Sequence, residues 1–197
     1  RSTLFPYTTL FRSRDEKRGF KKGDKIAICA QNGARWGMAY LAVNTYETVI
    51  VPILADFTPE SVNHLVNHSE SIALFTNEAK WKKLDITKMP LLKIVIDVDT
   101  WKTLWTADPS VQAIYDQMDE LFAAKYPNGY GPDDVVFPTD NWDDLSTINY
   151  TSGSTGDPKG VMLTYRNFCA TVDYSQRNVP AGDKMVSMLT MVQMYGL

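Results

Sequence analysis

The chain has 197 residues, 44% of them hydrophobic and 22% charged, with a net charge of −3. That is ordinary composition for a globular protein with one sizeable core, so the chain reads as one domain or a piece of one. It excludes a generic polyanion binder, since no basic stripe runs through it, and no apolar run nears the ~20 residues that span a bilayer.

Residues 1–13 stand apart. Thr-Leu-Phe occurs twice, at residues 3–5 and 9–11, and Arg-Ser occurs at both ends of the stretch. It resembles an in-frame translation of a short-read sequencing adapter and is left out of the fold reading. Residues 14–23 are charged and read as a helix end and a turn. Residues 24–30 form an apolar strand, followed by a turn at Gln31-Asn32-Gly33. Residues 34–46 read as a helix with Trp36, Tyr40 and Val43 or Asn44 on one face. A second, buried strand covers 48–53 and ends at Pro52. Thr58 caps the next helix, with Pro59 at its first position and Val62, Leu65 and Val66 facing inward.

Residues 72–75 are a third strand, 78–84 a short helix and 93–96 a fourth strand. Residues 111–124 read as one helix, and 126–140, rich in Pro, Gly, Asn and Asp, as a surface connection. Strands over 145–150 and 161–164, a helix over 165–179 and a strand over 183–189 complete the chain. Alternating helices and continuously apolar strands predict an α/β fold, with βαβ units forming a largely parallel sheet flanked by helices.

Cys29 and Cys169 each lie in an apolar segment and read as reduced core residues, which suits a cytoplasmic protein. Lys80, Lys82 and Lys83 read as a solvated helix face. His64 and His68 share one side of a helix, without the further ligands a metal site needs. The acids Asp133, Asp134, Asp140, Asp143 and Asp144 lack the spacing of a calcium loop and read as solvated.

Chemistry concentrates in Tyr150-Thr-Ser-Gly-Ser-Thr-Gly-Asp-Pro-Lys-Gly160. Glycines between two strands let backbone N–H groups approach an anion. Thr151, Ser152, Ser154 and Thr155 add hydroxyl donors, and Lys159 adds a point charge. Together these parts suit a polyphosphate. The pattern is not the Walker type, because Pro158 precedes Lys159 and a β-branched, apolar run follows, so the loop is hairpin-like and does not open a helix.

These residues resemble the phosphate-loop signature of the AMP-forming acyl-adenylate superfamily: acyl-CoA synthetases, adenylation domains of peptide synthetases, and luciferases. Leu163-Thr-Tyr-Arg-Asn167 resembles the Leu-Thr-His-Arg-Asn that usually follows. Residues 187–197 resemble the next motif, commonly Leu-Pro-Leu-x-His-x-Tyr-Gly. Gly23-Asp-Lys-Ile-Ala and the helix leading into Val-Ile-Val-Pro are similar to the N-terminal region of acyl-CoA synthetases. The end of the chain looks most like bacterial long-chain fatty-acid–CoA ligases.

The resemblance implies activation of a carboxylate by ATP to an acyl-adenylate and pyrophosphate, then displacement of AMP by a thiol, usually of coenzyme A. It implies phosphate contacts from Thr151, Ser152, Gly153, Ser154, Thr155, Gly156 and Lys159, with Lys159 and Thr155 closest to the chemistry. Thr151 or Thr155 would also reach Mg2+, and Gln193, Tyr195 and Gly196 would lie at the acyl pocket. Three departures stand out: Thr190 where Pro is usual, Gln193 where His is common, and Tyr165 in place of another frequent His. Residues 14–197 would be the N-terminal part of an adenylation domain, with the rest of that domain and a small C-terminal domain beyond Leu197, so the piece alone is expected to be inactive. The implied partners are small molecules and not nucleic acid; peripheral membrane contact is left open. An adenylating enzyme for aryl or amino acids and a non-catalytic nucleotide- or acyl-binding homologue are the alternatives.

Overall fold

The computed structural model describes residues 20–129, 131, 141–151 and 158–178. Among them, seven strands make one sheet: β1 Lys25–Cys29, β2 Val49–Pro52, β3 Ser71–Thr76, β4 Ile94–Asp97, β5 Thr103–Thr106, β6 Leu145–Thr151 and β7 Lys159–Thr164. Their order is β5-β4-β3-β1-β2-β6-β7. The five inner strands are parallel, and β5 and β7 run antiparallel at the two edges. The helices are α1 Ala34–Thr45, α2 Pro59–His68, α3 Glu78–Trp81, α4 Pro109–Asp116, α5 Met118–Lys125 and α6 Tyr165–Asn178. The predicted α/β architecture with a largely parallel sheet is the one that forms.

The runs Ile26–Cys29, Val49–Pro52, Ile72–Phe75 and Ile94–Ile96 of β1 to β4 are continuously apolar because both faces of this part of the sheet are covered. Successive side chains point to opposite faces. Ile26, Ile28, Ile50, Phe75, Ile94 and Ile96 meet Trp36, Tyr40 and Val43 of α1. Ala27, Cys29, Val51, Leu74 and Val95 meet Val62, Leu65 and Val66 of α2. The start of α2 is the expected one: the Thr58 hydroxyl accepts from the Ser61 N–H at 3.3 Å, and Pro59 fills the first turn, where it gives up no intrahelical bond.

Four expectations change. Residues 111–124 are not one helix: the chain breaks at Gln117, between α4 and α5. Strand β5 was not anticipated, because four half-buried residues on an edge leave too short an alternation to read. Cys29 is buried, but Cys169 is exposed. Helix α6 meets the core through Phe168, whose ring lies 6.2 Å from that of Tyr40; the next residue is turned about 100° away. Lys80 is not on a solvated face. It is half-buried, and its ammonium donates to the carbonyls of Ala55 and Phe57, tying the loop after β2 to α3. Its charge also opposes burial, which pushes the Cys29 thiol up.

Strand β1 feeds β2 on one side, and β2 returns across β1 to β3 on the other. The loops leaving the carboxyl ends of β1 and β2 therefore diverge. In open parallel sheets the carboxyl edge near such a reversal is where ligands bind.

Candidate functional site at the carboxyl edge of the sheet

Strand β6 is parallel to β2, with Thr147 level with Ile50. Its last residue, Thr151, therefore leaves the sheet at the carboxyl edge, beside the chain following β2. The chain returns antiparallel as β7 from Lys159, with Tyr150 opposite Gly160 and Thr151 opposite Lys159. The hairpin arrangement read from Pro158 and the apolar run behind it is the one observed.

Directly opposed residues of an antiparallel pair share a face, with Cβ atoms about 5 Å apart. The Thr151 hydroxyl and the Lys159 ammonium thus flank the mouth of the loop on one side, and both residues are exposed. A hydroxyl donor and a cation presented together at a carboxyl edge fit a polyphosphate. Ser152, Gly153, Ser154, Thr155 and Gly156 lie outside the described residues, as do Gln193, Tyr195, Gly196 and Thr190.

The root of the loop is held from the opposite face. Tyr150 is 8% exposed and belongs to the core beneath α2. Its hydroxyl lies 2.7 Å from His68 Nδ1 at the end of α2, with the two rings edge to face at 5.7 Å. Burial pushes the Tyr150 phenol above its ordinary value, with the nearby Ser69 hydroxyl opposing. On the partner strand, a Cβ at Gly160 would sit 2.9 Å from Ile148 Cγ2 and 3.3 Å from Tyr150 Cε1. Gly160 is therefore required by close side-chain approach under the loop. Further back, the Thr147 hydroxyl donates to the Ile50 carbonyl at 3.0 Å and the Ser146 hydroxyl to Asn44 Oδ1 at 3.0 Å. Strand β6 buries the polar side chains Ser146, Thr147 and Asn149, and these bonds satisfy the first two.

The segment after β7 is a clasp. Thr164 N donates to Asn167 Oδ1 at 2.9 Å and Asn167 N to Thr164 Oγ1 at 3.4 Å, a reciprocal cap on α6. Arg166 pairs with Asp143 through two bonds of 2.7 and 3.2 Å. The Tyr165 hydroxyl donates to the Asn44 carbonyl at 2.9 Å. Burial, with the charges of Glu47 and Asp144 adding to it, pushes this phenol up to about 12. Tyr165 thus pins the end of α1 to the start of α6, a packing role for the residue that departs from the usual motif. Asp144 pairs with Lys22 at 2.7 Å, so both Asp143 and Asp144 serve surface ion pairs.

His64 and His68 are exposed, with their rings 5.7 Å apart. Among the described residues, no three His, Cys, Asp or Glu side chains group as a metal site, and no helix is long and apolar enough to cross a membrane. The contacts that sequence reasoning missed are Tyr150 with His68 and Gly160 with Ile148. His68 and Tyr150 are 82 residues apart; the one visible signal was an aromatic residue immediately before the loop.

The AMP-binding enzyme family matches residues 16–197. Fatty acyl-CoA synthetase A of Dictyostelium discoideum is 30% identical over 188 residues, covering 90% of this chain and 26% of its own length. The peroxisomal long chain acyl-CoA synthetase 6 of Arabidopsis thaliana is 29% identical over 181 residues, covering 90% and 25%. The chain therefore spans about a quarter of the length of these relatives. Among solved structures, a long-chain-fatty-acid-CoA ligase from Archaeoglobus fulgidus superimposes with a TM-score of 0.67 at 21% identity, over 96% of this chain and 34% of its own. ATP-bound MatB from Rhodopseudomonas palustris gives 0.59 at 19% identity, over 87% and 31%.

Proposed function

The chain belongs to the AMP-binding enzyme family, and from that premise we propose that the protein, at its native length, activates a fatty acid with ATP and passes it to coenzyme A. The carboxylate oxygen attacks the α-phosphorus of ATP and the bond to the β-phosphate oxygen breaks, giving acyl-adenylate and pyrophosphate. The thiol sulfur then attacks the acyl carbon, loses its proton, and releases AMP.

The observation that carries the reading is the pairing of Thr151 with Lys159 at the mouth of a Gly/Ser/Thr-rich hairpin on the carboxyl edge. Negative charge grows on the leaving pyrophosphate, and preorganised donors aimed there lower the barrier. Lys159 supplies the charge. Thr151, Ser152, Ser154 and Thr155 supply hydroxyls, and Gly153 and Gly156 bare the backbone N–H groups. A loop rich in hydroxyls fits an Mg2+ ion that arrives on the triphosphate, since that ion keeps several waters and takes one or two protein oxygens. Thr151 or Thr155 would be the protein's oxygen, and the ion would supply charge neutralisation at the pyrophosphate. The acyl preference for fatty acids draws on the printed activities of the relatives, with Gln193, Tyr195 and Gly196 proposed at the acyl pocket.

The test is carboxylate-dependent ATP–pyrophosphate exchange by the full-length protein across fatty, aryl and amino acids. We expect exchange with fatty acids, and a loss of about 100-fold in Thr155→Ala. Exchange with aryl or amino acids alone would reassign the substrate, and near-normal exchange in Thr155→Ala would overturn the loop assignment.

A further inference from the structure

We propose that His68 is a positioning residue for the phosphate loop, acting through Tyr150. The inference rests on the reading of that loop as the ATP site.

Tyr150 is the residue immediately before Thr151, and its cross-strand partner Gly160 immediately follows Lys159. The path of the backbone at this pair sets where Thr151 and Lys159 stand. The Tyr150 ring is confined on two sides. One is the bare Cα of Gly160, close enough that a Cβ there would lie 3.3 Å from the ring. The other is the imidazole of His68, edge to face at 5.7 Å and bonded to the hydroxyl at 2.7 Å. A tyrosine has only two side-chain torsions, and this bond selects the pair of values that lays the ring over Gly160.

Without His68 the hydroxyl loses its 2.7 Å bond and keeps only the Ser69 side chain, so it either stays buried and under-satisfied or swings out to water; both are unfavourable to the packed arrangement. Swinging out lifts the ring from Gly160 and frees the strand pair that carries Thr151 and Lys159. His68 is exposed at the end of α2. Its removal therefore opens no core cavity, and the consequence falls on the loop root and not on the fold. His64, one turn earlier, backs the His68 ring at 5.7 Å but has no described bond to Tyr150.

The experiment compares His68→Leu, His68→Asn and Tyr150→Phe, singly and combined, in the full-length protein. Asn carries a polar atom close to where Nδ1 stands and can take up the same hydroxyl. In ATP–pyrophosphate exchange, His68→Leu should raise KM for MgATP roughly tenfold, as expected for one lost hydrogen bond, with KM for the carboxylate unchanged. His68→Asn should restore it, and His68→Leu should add nothing in the Tyr150→Phe background. Amide hydrogen exchange at Tyr150 and Gly160 should quicken in His68→Leu and recover in His68→Asn. The role is overturned if KM rises equally for both substrates, if His68→Leu still acts fully without the Tyr150 hydroxyl, or if amide exchange is unmoved. If the wild-type protein exchanges pyrophosphate with no acid, the functional reading fails, and the amide exchange still decides whether His68 holds the loop root.

Discussion

Two antiparallel hairpins close the sheet, β4–β5 at one end and β6–β7 at the other, and both reverse at the carboxyl edge of the parallel strands. The first satisfies itself. The Asp97 carboxylate accepts from the Asp99 N–H and the Thr100 hydroxyl, each at 2.9 Å, and the Trp101 N–H returns to the Asp97 carbonyl at 2.7 Å. Trp101 takes a positive φ of 61° and packs its ring edge-on against Phe75 at 5.9 Å. The second hairpin is fastened at its root by Tyr150, Gly160 and His68, and beyond that root it turns Thr151 and Lys159 to solvent. A turn whose polar side chains bond its own backbone keeps nothing for a ligand. At the second hairpin the root is fixed from the opposite face, and Thr151 and Lys159 are left exposed to meet one.

Substitutions at the two hairpins should therefore separate activity from stability. The largest effect is expected from Lys159→Ala: pyrophosphate exchange in the full-length protein falls about 100-fold, while the thermal midpoint stays put. A matching fall in the midpoint would make Lys159 a structural residue and erase the contrast. Asp97→Ala should do the reverse, lowering stability in urea titration by about 2 kcal/mol through two lost charge-assisted bonds, with KM for ATP unchanged.

Gly160→Ala sharpens the picture of the second root. The added methyl meets Ile148 Cγ2 at 2.9 Å, and Ile148 is stiff at its branched carbon. Stability should drop by about 1–2 kcal/mol, together with faster amide exchange at Tyr150; an unchanged unfolding curve would show that the root yields freely.

The smallest effect concerns Tyr165, whose phenol is raised from 10.0 to about 12 in the folded chain. A raised value means that the neutral phenol is the form the fold favours. Its contribution is complete below pH 10 and is lost as pH rises through 12. Unfolding free energy measured from pH 9 to 12 should fall more steeply in the wild type than in Tyr165→Phe; parallel curves would remove Tyr165 from the clasp.

Strands β1 to β4 were legible because each carries a continuous apolar run, which a strand covered on both faces requires. The start of α2 was legible because Thr58, Pro59 and Ser61 encode its cap locally. Strand β5 was not, since an edge strand of four half-buried residues carries no strong period. Cys169 and Lys80 were misplaced for a related reason. The apolar neighbours of Cys169 do not say which side of α6 meets the sheet, and the lysine pattern does not say that Ala55 and Phe57 present carbonyls to Lys80.

At the candidate site the division is similar. By itself the sequence determined the α/β class, the parallel core and the composition of the loop, because glycine spacing, hydroxyls and Lys159 are local properties of adjacent residues. Only the tertiary structure decided that Thr151 and Lys159 face each other at the carboxyl edge, and that Tyr150 is held by His68 from α2. Those facts depend on strand order and register. Residues 82 apart in the chain come within hydrogen-bonding distance only because the parallel sheet sets β6 beside β2 and lays α2 across its face.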